Sequence, residues 1–358
     1  MKVKVPFWRT SFGEDEIKHI AKSIRSENIS QGLVTKEFEN QISNILEIDH
    51  VIAVTSGTAA LTIAYLSQGV GPGDEIIVPN RTWIATGHAA SILGAKVILA
   101  DVLPHSPIID TNKIESLITK RTKIIVAVHM NGRGADMKKL KDISEKFSIP
   151  IVEDAAQALF SKNKHGFLGT QSEVGCFSLS VGKIISTGQG GLVVTHNKDI
   201  AEKIRKIRTH GLEHVKDPNS WNMPGYNFRY TDIQASIGLE QLRLLPKRSK
   251  YLCEIYDYYK NEIKNNLFEL IPVAINDGEI PVYNEYLIED RSHWIEKLAH
   301  LGIETRRFYP DLSEAHYYKK HQPHIVNPTI FGSNGIYLPS GPTQPMQNIK
   351  FVSECCNS

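Results

Sequence analysis

Several features that would assign a chain to a particular class are scarce here. Among 358 residues there are four cysteines, Cys176, Cys253, Cys355 and Cys356, without CxxC spacing, so neither a zinc site nor a disulfide framework is indicated. The net charge of +2 gives no electrostatic case for nucleic acid or an anionic membrane. No run approaches the ~18 apolar residues of a membrane span, and residues 1–8 lack a signal core. We expect a soluble, cytoplasmic protein.

Short β-branched runs alternate with helical patterns through the first two thirds of the chain. Strands are predicted at 50–55, 75–79, 96–101, 123–129, 149–154, 174–179 and 191–195. Helices are predicted at 12–25, 35–46, 56–65, 86–93, 112–117, 138–147, 198–209 and 231–245. Continuous apolar strands with intervening helices indicate an α/β fold, with a mostly parallel sheet that helices cover on both faces.

The pattern changes after Pro246. Helices are predicted at 250–265 and 291–301, strands at 281–288 and 302–308, and a segment rich in proline and glycine at 322–345 is predicted to be mostly loop. Because single cores tend to split beyond ~250–300 residues, we expect two domains. These are a large α/β domain at 26–245 and a smaller α+β domain at 246–358, on which residues 1–25 are expected to pack.

Lys183 is the most informative single residue. It lies in the small and apolar run Cys176-Phe-Ser-Leu-Ser-Val-Gly-Lys-Ile-Ile-Ser-Thr, and the nearest charged residues are Glu173 and Lys198. A lysine without charged neighbours is often desolvated, which lowers its pKa and leaves the amine free to form a Schiff base. The alternative is a lysine that extends from a strand end into solvent.

Other candidate residues follow predicted strands. Gly57 and Thr58 open a helix directly after a strand, where free N–H groups can bind a phosphate; an ordinary helix cap is the alternative. Glu153 and Asp154 end an apolar strand and Trp83 follows another, which is where open α/β sheets place ligand contacts. A solvated acid and a tryptophan of the core or rim are the alternatives.

Together these residues meet the needs of pyridoxal phosphate. That cofactor requires a lysine for the Schiff base, a carboxylate that keeps its ring nitrogen protonated, an aromatic face and phosphate donors. Lys183, a carboxylate of the pair Glu153 and Asp154, Trp83 and the turn at Gly57 and Thr58 supply one of each.

The sequence resembles the DegT/StrS-type pyridoxal-phosphate aminotransferases, which act on nucleotide-linked keto sugars. The resemblance is carried by motifs spread over most of the chain: 56–61 (Ser-Gly-Thr-Ala-Ala-Leu), 73–79, 153–157 (Glu-Asp-Ala-Ala-Gln), 177–178, 183 with 187–191, 225–229 with 231–235, and 302–306 (Gly-Ile-Glu-Thr-Arg). It implies a fold-type I aminotransferase. It also implies transfer of an amino group from L-glutamate or L-glutamine to a nucleotide sugar, with pyridoxamine phosphate formed midway, in amino-sugar and polysaccharide biosynthesis.

The resemblance also implies roles for single residues. Lys183 carries the cofactor and moves protons, Asp154 pairs with the ring nitrogen, Gln157 contacts the ring hydroxyl and Trp83 stacks on the ring. The phosphate is bound by residues of both subunits of a homodimer: Gly57, Thr58 and Ser178, with Asn227 from the partner subunit.

The sequence departs from the family pattern near the expected substrate. Gly-Gln-Gly-Gly at 188–191 replaces Gly-Glu-Gly-Gly, Ser180 and Val181 stand where an aromatic or His-Pro-like pair is common, and 307–313 lacks a histidine. Specificity is expected in the loops at 211–224 and 309–328. Two alternatives remain at this point. One is a sugar dehydratase of the same fold, which Lys183 disfavours because a histidine replaces that lysine there, and the other is a non-catalytic homologue.

Overall fold

Two β-sheets and the helices around them form the protein in the computed structural model, which describes residues 3–213, 221, 223–319 and 329–358. The strands in the described chain are β1 (His50–Val54), β2 (Glu75–Pro79), β3 (Lys96–Ala100), β4 (Thr122–Val128), β5 (Ile151–Asp154), β6 (Lys162–Asn163), β7 (Gly166–Phe167), β8 (Val174–Ser178), β9 (Gly191–Thr195), β10 (Glu269–Leu270), β11 (Asn284–Leu287), β12 (Arg306–Arg307) and β13 (Gly335–Leu338). The α-helices are α1 (Glu14–Arg25), α2 (Leu33–Leu46), α3 (Gly57–Ser67), α4 (Ala85–Ile92), α5 (Met137–Phe147), α6 (Lys198–Arg208), α7 (Asp232–Arg243), α8 (Leu245–Glu262), α9 (Arg291–His300), α10 (His316–Lys319), α11 (Ile330–Asn334) and α12 (Met346–Asn357).

The larger sheet has seven strands in the order β1-β9-β8-β5-β4-β2-β3. The pairs from β8 through β5, β4 and β2 to β3 are parallel, whereas β9 runs antiparallel to both β8 and β1. Its central strands are buried on both faces, as expected when helices cover a parallel sheet. The predicted fold class, an α/β fold with a mostly parallel mixed sheet, is therefore confirmed.

The smaller sheet is antiparallel, in the order β10-β11-β13-β12. The sequence predicted mostly loop at 322–345, and this was wrong at 330–338, where the short helix α11 leads into β13, a buried strand of four residues between β11 and β12. The helix predicted at 112–117 was also wrong: two short 3-10 turns, Thr111–Lys113 and Glu115–Leu117, occupy that segment. Few apolar residues at helical spacing are available there to bury a longer helix.

The first residues of the chain divide between the two sheets. Val5 bridges Ile303 beside the smaller sheet. Helix α1, in contrast, packs on α7, where buried Ser23 lies 2.9 Å from the hydroxyl of Ser236. The expectation that all of residues 1–25 pack on the smaller domain therefore needs correction for α1, because its buried face is polar and pairs with α7. We propose that the domain boundary lies at 245/246, where α7 passes into α8.

Parts of two predicted specificity loops, residues 214–220, 222 and 320–328, lie outside the described residues. In the part of the chain that is described, no helix combines the length and the apolar character needed to cross a bilayer.

Candidate active site

A cavity of about 550 Å³ opens at the carboxyl ends of the parallel strands. The turns that follow β1, β2, β4, β5 and β8 reach it, and the smaller sheet adds residues on the opposite side. Seven of the eight residues that the sequence singled out line this one cavity: Gly57, Thr58, Trp83, Asp154, Gln157, Ser178 and Lys183. The position agrees with the rule that ligands of open α/β sheets bind beyond the carboxyl ends of strands.

Lys183 lies in the loop that connects β8 to the antiparallel strand β9. Backbone hydrogen bonds close this loop, from Leu179 N–H to Gly190 O at 2.9 Å and from Thr187 N–H to Leu179 O at 3.0 Å. Desolvation lowers the pKa of the half-buried Lys183 amine from 10.5 to about 8, although the nearby carboxylate of Asp154 acts in the opposite direction. A neutral and nucleophilic amine is therefore accessible close to neutral pH.

Asp154 is the last residue of β5 and is buried. The hydroxyl of Thr86 donates to its Oδ2 at 2.7 Å, and the N–H of Ala156 donates to its Oδ1 at 3.1 Å. Burial raises the pKa of Asp154, and the bond from Thr86, the bond from Ala156 and the charge of Lys183 limit that rise. A carboxylate held in this way favours a cationic partner, such as a protonated ring nitrogen.

The start of α3 provides a binding place for an anion. Ser56 caps the helix by accepting the N–H of Ala59 at 3.1 Å, which leaves the first N–H groups of an eleven-residue helix facing the cavity. A Cβ added to Gly57 would lie 3.0 Å from the Cβ of Ser178, so glycine lets the two segments approach closely. The backbone of Gly57, the hydroxyl of Ser178 and exposed Thr58 thus converge at one end of the cavity.

Trp83 and Gln157 form two further parts of the cavity wall, one aromatic and one polar. The indole of Trp83 is 56% exposed, and its only described ring contact is edge-on to Tyr309, at a centroid distance of 5.4 Å, so its face remains open for a planar ring. Gln157 accepts the N–H of Asn131 through Oε1 at 3.0 Å, and it lines the cavity together with Tyr309, whose hydroxyl donates to the sulfur of Met130 at 3.0 Å.

Asn227 is the one predicted site residue that does not line the cavity. It is exposed, and its backbone pairs with Thr209 in an isolated bridge. The sequence placed Asn227 in the partner subunit's site, so this position within one chain leaves the prediction open.

Sequence reasoning missed the buried pair of His129 and Glu153, which lies next to Asp154 in the sheet. His129 accepts the N–H of Ala135 at Nδ1 (3.1 Å), so its Nε2 carries the proton and donates to Glu153 at 2.8 Å. Burial would raise the pKa of Glu153, but the bonds from His129 and from the N–H of Gly169 lower it. The sequence pattern did not separate the two acids, and only the family resemblance assigned the ring nitrogen to Asp154. Because side chains alternate along a strand, Glu153 and Asp154 point to opposite faces of the sheet.

The donors and acceptors of this cavity fit pyridoxal phosphate. An amine with a lowered pKa, a buried carboxylate, an open indole face and a helix N-terminus lie around one space. Each suits one chemical group of that cofactor: the amine suits the aldehyde, the carboxylate the ring nitrogen, the indole the ring face and the helix N-terminus the phosphate. The roles of the single residues nonetheless stay predictions.

Comparisons with known proteins identify relatives over nearly the whole chain. GDP-perosamine synthase of Escherichia coli O157:H7 is 32% identical over 363 residues, covering 99% of this chain and 98% of that protein. GDP-perosamine synthase of Caulobacter vibrioides is 32% identical over 300 residues, with 78% of each chain covered.

Solved structures agree with these relatives. DesV of S. venezuelae, solved in complex with a ketimine intermediate, superposes with a TM-score of 0.90 at 28% identity, over 96% of this chain and 93% of that one. The PLP-form of Spr1654 from Streptococcus pneumoniae gives a TM-score of 0.92 at 25% identity, over 99% and 97%. A family profile matches residues 10–355. This chain belongs to the DegT/DnrJ/EryC1/StrS aminotransferase family.

Proposed function

We propose that this protein transfers the amino group of L-glutamate or L-glutamine to a GDP-linked keto sugar and so makes an amino sugar for a surface polysaccharide or glycan. The enzyme class and cofactor predicted from the sequence, a sugar aminotransferase that uses pyridoxal phosphate, are confirmed by the family and its solved members. The observation that carries the proposal is the meeting of the Lys183 amine and the Asp154 carboxylate in one cavity. GDP is proposed from the names of the two synthases.

When bound, pyridoxal phosphate supplies an electron sink that stabilises negative charge at the carbon from which a proton is removed. Lys183 would hold the cofactor through Nζ, and Asp154 would keep the proton on its ring nitrogen. Gly57, Thr58 and Ser178 would bind its phosphate, Trp83 would cover one face of the ring, and Gln157 would contact the ring hydroxyl.

Lys183 also serves as the base and acid of the reaction. With a pKa of about 8, its amine exists in both protonation states near neutral pH, which suits a group that accepts a proton and returns it. The loop closed by Leu179 and Gly190 holds that amine in one place for both halves of the cycle.

Two arginines line the cavity, one of them, Arg306, also pairing with Glu304 at 3.4 Å, and they support a nucleotide-linked substrate. Arg306 and Arg307 are both exposed and belong to the smaller sheet. The guanidinium of Arg306 lies 4.5 Å from the ring centroid of Phe7, and that of Arg307 donates to Ser292 at 3.1 Å. Guanidinium groups bind phosphate oxygens with two parallel hydrogen bonds, so a diphosphate is a suitable ligand.

We also propose a homodimer in which Asn227 of one subunit completes the partner's site. Mixing Lys183→Ala subunits with Asn227→Ala subunits tests this. Each mixed dimer then has one site with both residues intact, and activity should rise well above that of either variant alone. Absence of such a gain, with mixed dimers present by mass spectrometry, would argue against a shared site. A cytoplasmic location, which fits the four unpaired cysteines, is proposed as well and is tested by cell fractionation.

The visible spectrum of purified protein with pyridoxal phosphate tests the reaction. We expect a cofactor band that bleaches when L-glutamate or L-glutamine is added, and that returns when a GDP-linked keto sugar follows. Mass spectrometry of the sugar should show a carbonyl oxygen replaced by an amine. Lys183→Ala should lack both changes, whereas Lys141→Ala, at an exposed position of α5, should keep them. A sugar product that has lost water instead of gaining nitrogen would favour the dehydratase.

A further inference from the structure

The turn that follows β4 joins the two sheets at the cavity wall. It is the 3-10 turn Met130–Gly132 with Arg133, and every residue from 131 to 133 contacts the smaller domain. Arg133 donates to the carboxylate of Glu285 and to the carbonyl of Pro272. A Cβ added to Gly132 would lie 2.2 Å from the carbonyl oxygen of Ile280, so the two backbones touch there.

Asn131 is the polar centre of this turn. It is fully buried, and its backbone is left-handed, with φ 55° and ψ 38°. Its side-chain amide forms two bonds with the backbone of Tyr283: Nδ2 donates to the carbonyl at 2.9 Å, and Oδ1 accepts the N–H at 2.7 Å. Its own N–H donates to Oε1 of Gln157 at 3.0 Å. Asn131 does not itself line the cavity.

These bonds determine how Gln157 presents its amide. A backbone N–H can only donate, so the oxygen of the Gln157 amide faces Asn131 and its NH₂ group is left for the cavity, which Gln157 lines. A donor in that place suits an oxygen acceptor, such as the ring hydroxyl oxygen of the cofactor in its ionised form.

The same asparagine also acts on the segment that carries the reactive amine. The backbone of Tyr283 is paired with Asn131, and the hydroxyl of Tyr283 donates to the carbonyl of Gly182 at 2.8 Å. Gly182 immediately precedes Lys183. One buried residue is therefore linked to two cavity residues that are distant in sequence: its backbone N–H bonds Gln157, and its side chain, through Tyr283, is linked to Gly182.

We propose that Asn131 is a positioning residue, which directs the NH₂ group of Gln157 into the cofactor site and, through Tyr283, fixes the peptide before Lys183. This inference rests on the proposed cofactor site and assigns to it a residue outside the cavity. Without the Asn131 side chain, Tyr283 is no longer held over Gly182, and the turn that presents the N–H of residue 131 to Gln157 loses two of its bonds to the smaller domain.

Asn131→Gly is the variant of choice. Glycine accepts the left-handed backbone without strain and keeps the N–H, but it removes both bonds to Tyr283. Asn131→Asp keeps the acceptor for the Tyr283 N–H and serves as the conservative variant. Ser161→Ala is the matched control, because it removes a buried bond between the same two domains, from the N–H of Ile280 at 3.0 Å, away from the cavity.

The readout is the pH midpoint of the visible absorption change of the cofactor-loaded protein, with its circular dichroism, which reports how firmly the ring is held. Asn131→Gly should move the pH midpoint in the same direction as Gln157→Ala and should weaken the dichroic band. Asn131→Asp should give values between those of Asn131→Gly and the wild type. Ser161→Ala should leave the midpoint and the dichroic band unchanged. Equal losses of thermal stability in Asn131→Gly and Ser161→Ala, with an unmoved midpoint, would overturn the inference. A wild-type protein without any cofactor band would instead refute the proposed function.

Discussion

Replacing Lys183 by methionine should stabilise the cofactor-free protein at neutral pH, although it removes the reactive amine. Desolvation lowers the pKa of this lysine from 10.5 to about 8, and holding its charge in the folded state at pH 7 costs up to about 3 kcal/mol. The side chain is half-buried, and its charge also attracts Asp154, so we expect a net gain of about 1–3 kcal/mol in unfolding free energy.

The pH dependence of that gain is its signature. Between pH 8 and 10.5 the unfolded chain binds more protons at Lys183 than the folded chain does, so the stability of the wild type rises with pH in this window. The advantage of Lys183→Met is therefore complete below about pH 8 and should fall under about 1 kcal/mol by about pH 10.

Urea unfolding of the wild type and of Lys183→Met at neutral pH and at about pH 10, followed by far-ultraviolet circular dichroism, measures this difference. Lys141→Met, at an exposed position of α5, should show no comparable change with pH. A gain of equal size at both pH values, or a loss at neutral pH, would refute the argument that burial strains this amine.

Three further changes test the surroundings of the cavity. Thr86→Val removes the hydroxyl that donates to Asp154 and should weaken cofactor binding roughly tenfold, from a loss of about 1–2 kcal/mol, in a fluorescence titration; unchanged affinity would contradict that role. Glu153→Gln should lower the unfolding free energy by about 2–4 kcal/mol. Since the pKa of Glu153 is lowered, this deficit should be complete at neutral pH and shrink as pH falls below the ordinary glutamate range; a deficit independent of pH would contradict it. Trp83→Leu should weaken cofactor binding and alter the shape of its visible band, while the melting temperature changes little because the indole is 56% exposed; an unchanged band would argue against stacking.

Strands of the larger sheet were predictable because burial on both faces makes them continuous apolar runs. The predicted strands 75–79 and 191–195 agree with β2 and β9 to the residue, and β5 is two residues shorter than the predicted 149–154. The strands of the smaller sheet were harder to predict from the sequence. Strand β13 has four residues within a segment rich in glycine and proline, so only its partner strands β11 and β12 reveal it as a strand.

Site residues were predictable where a residue of distinctive chemistry lies next to the end of a predicted strand. Lys183, Asp154 and Gly57 carry their own local signals: an isolated lysine, an acid that closes an apolar strand, and a glycine that opens a helix. Asn131, Tyr283 and Tyr309 carry none, because their roles depend on contacts between residues that are more than a hundred positions apart. Such contacts arise from the docking of two sheets, which the pattern of one segment does not encode.

The bond from Tyr283 to Gly182 has a consequence for the order of events during synthesis. The ribosome releases Lys183 about a hundred residues before Tyr283, and domains generally fold as units, N-terminal first, as they emerge. A nascent chain that ends before residue 283 thus carries the reactive amine in a loop that the smaller sheet does not yet cover. The wall of the cavity next to Lys183 is therefore completed only when the segment around Tyr283 has been made and the smaller sheet has folded.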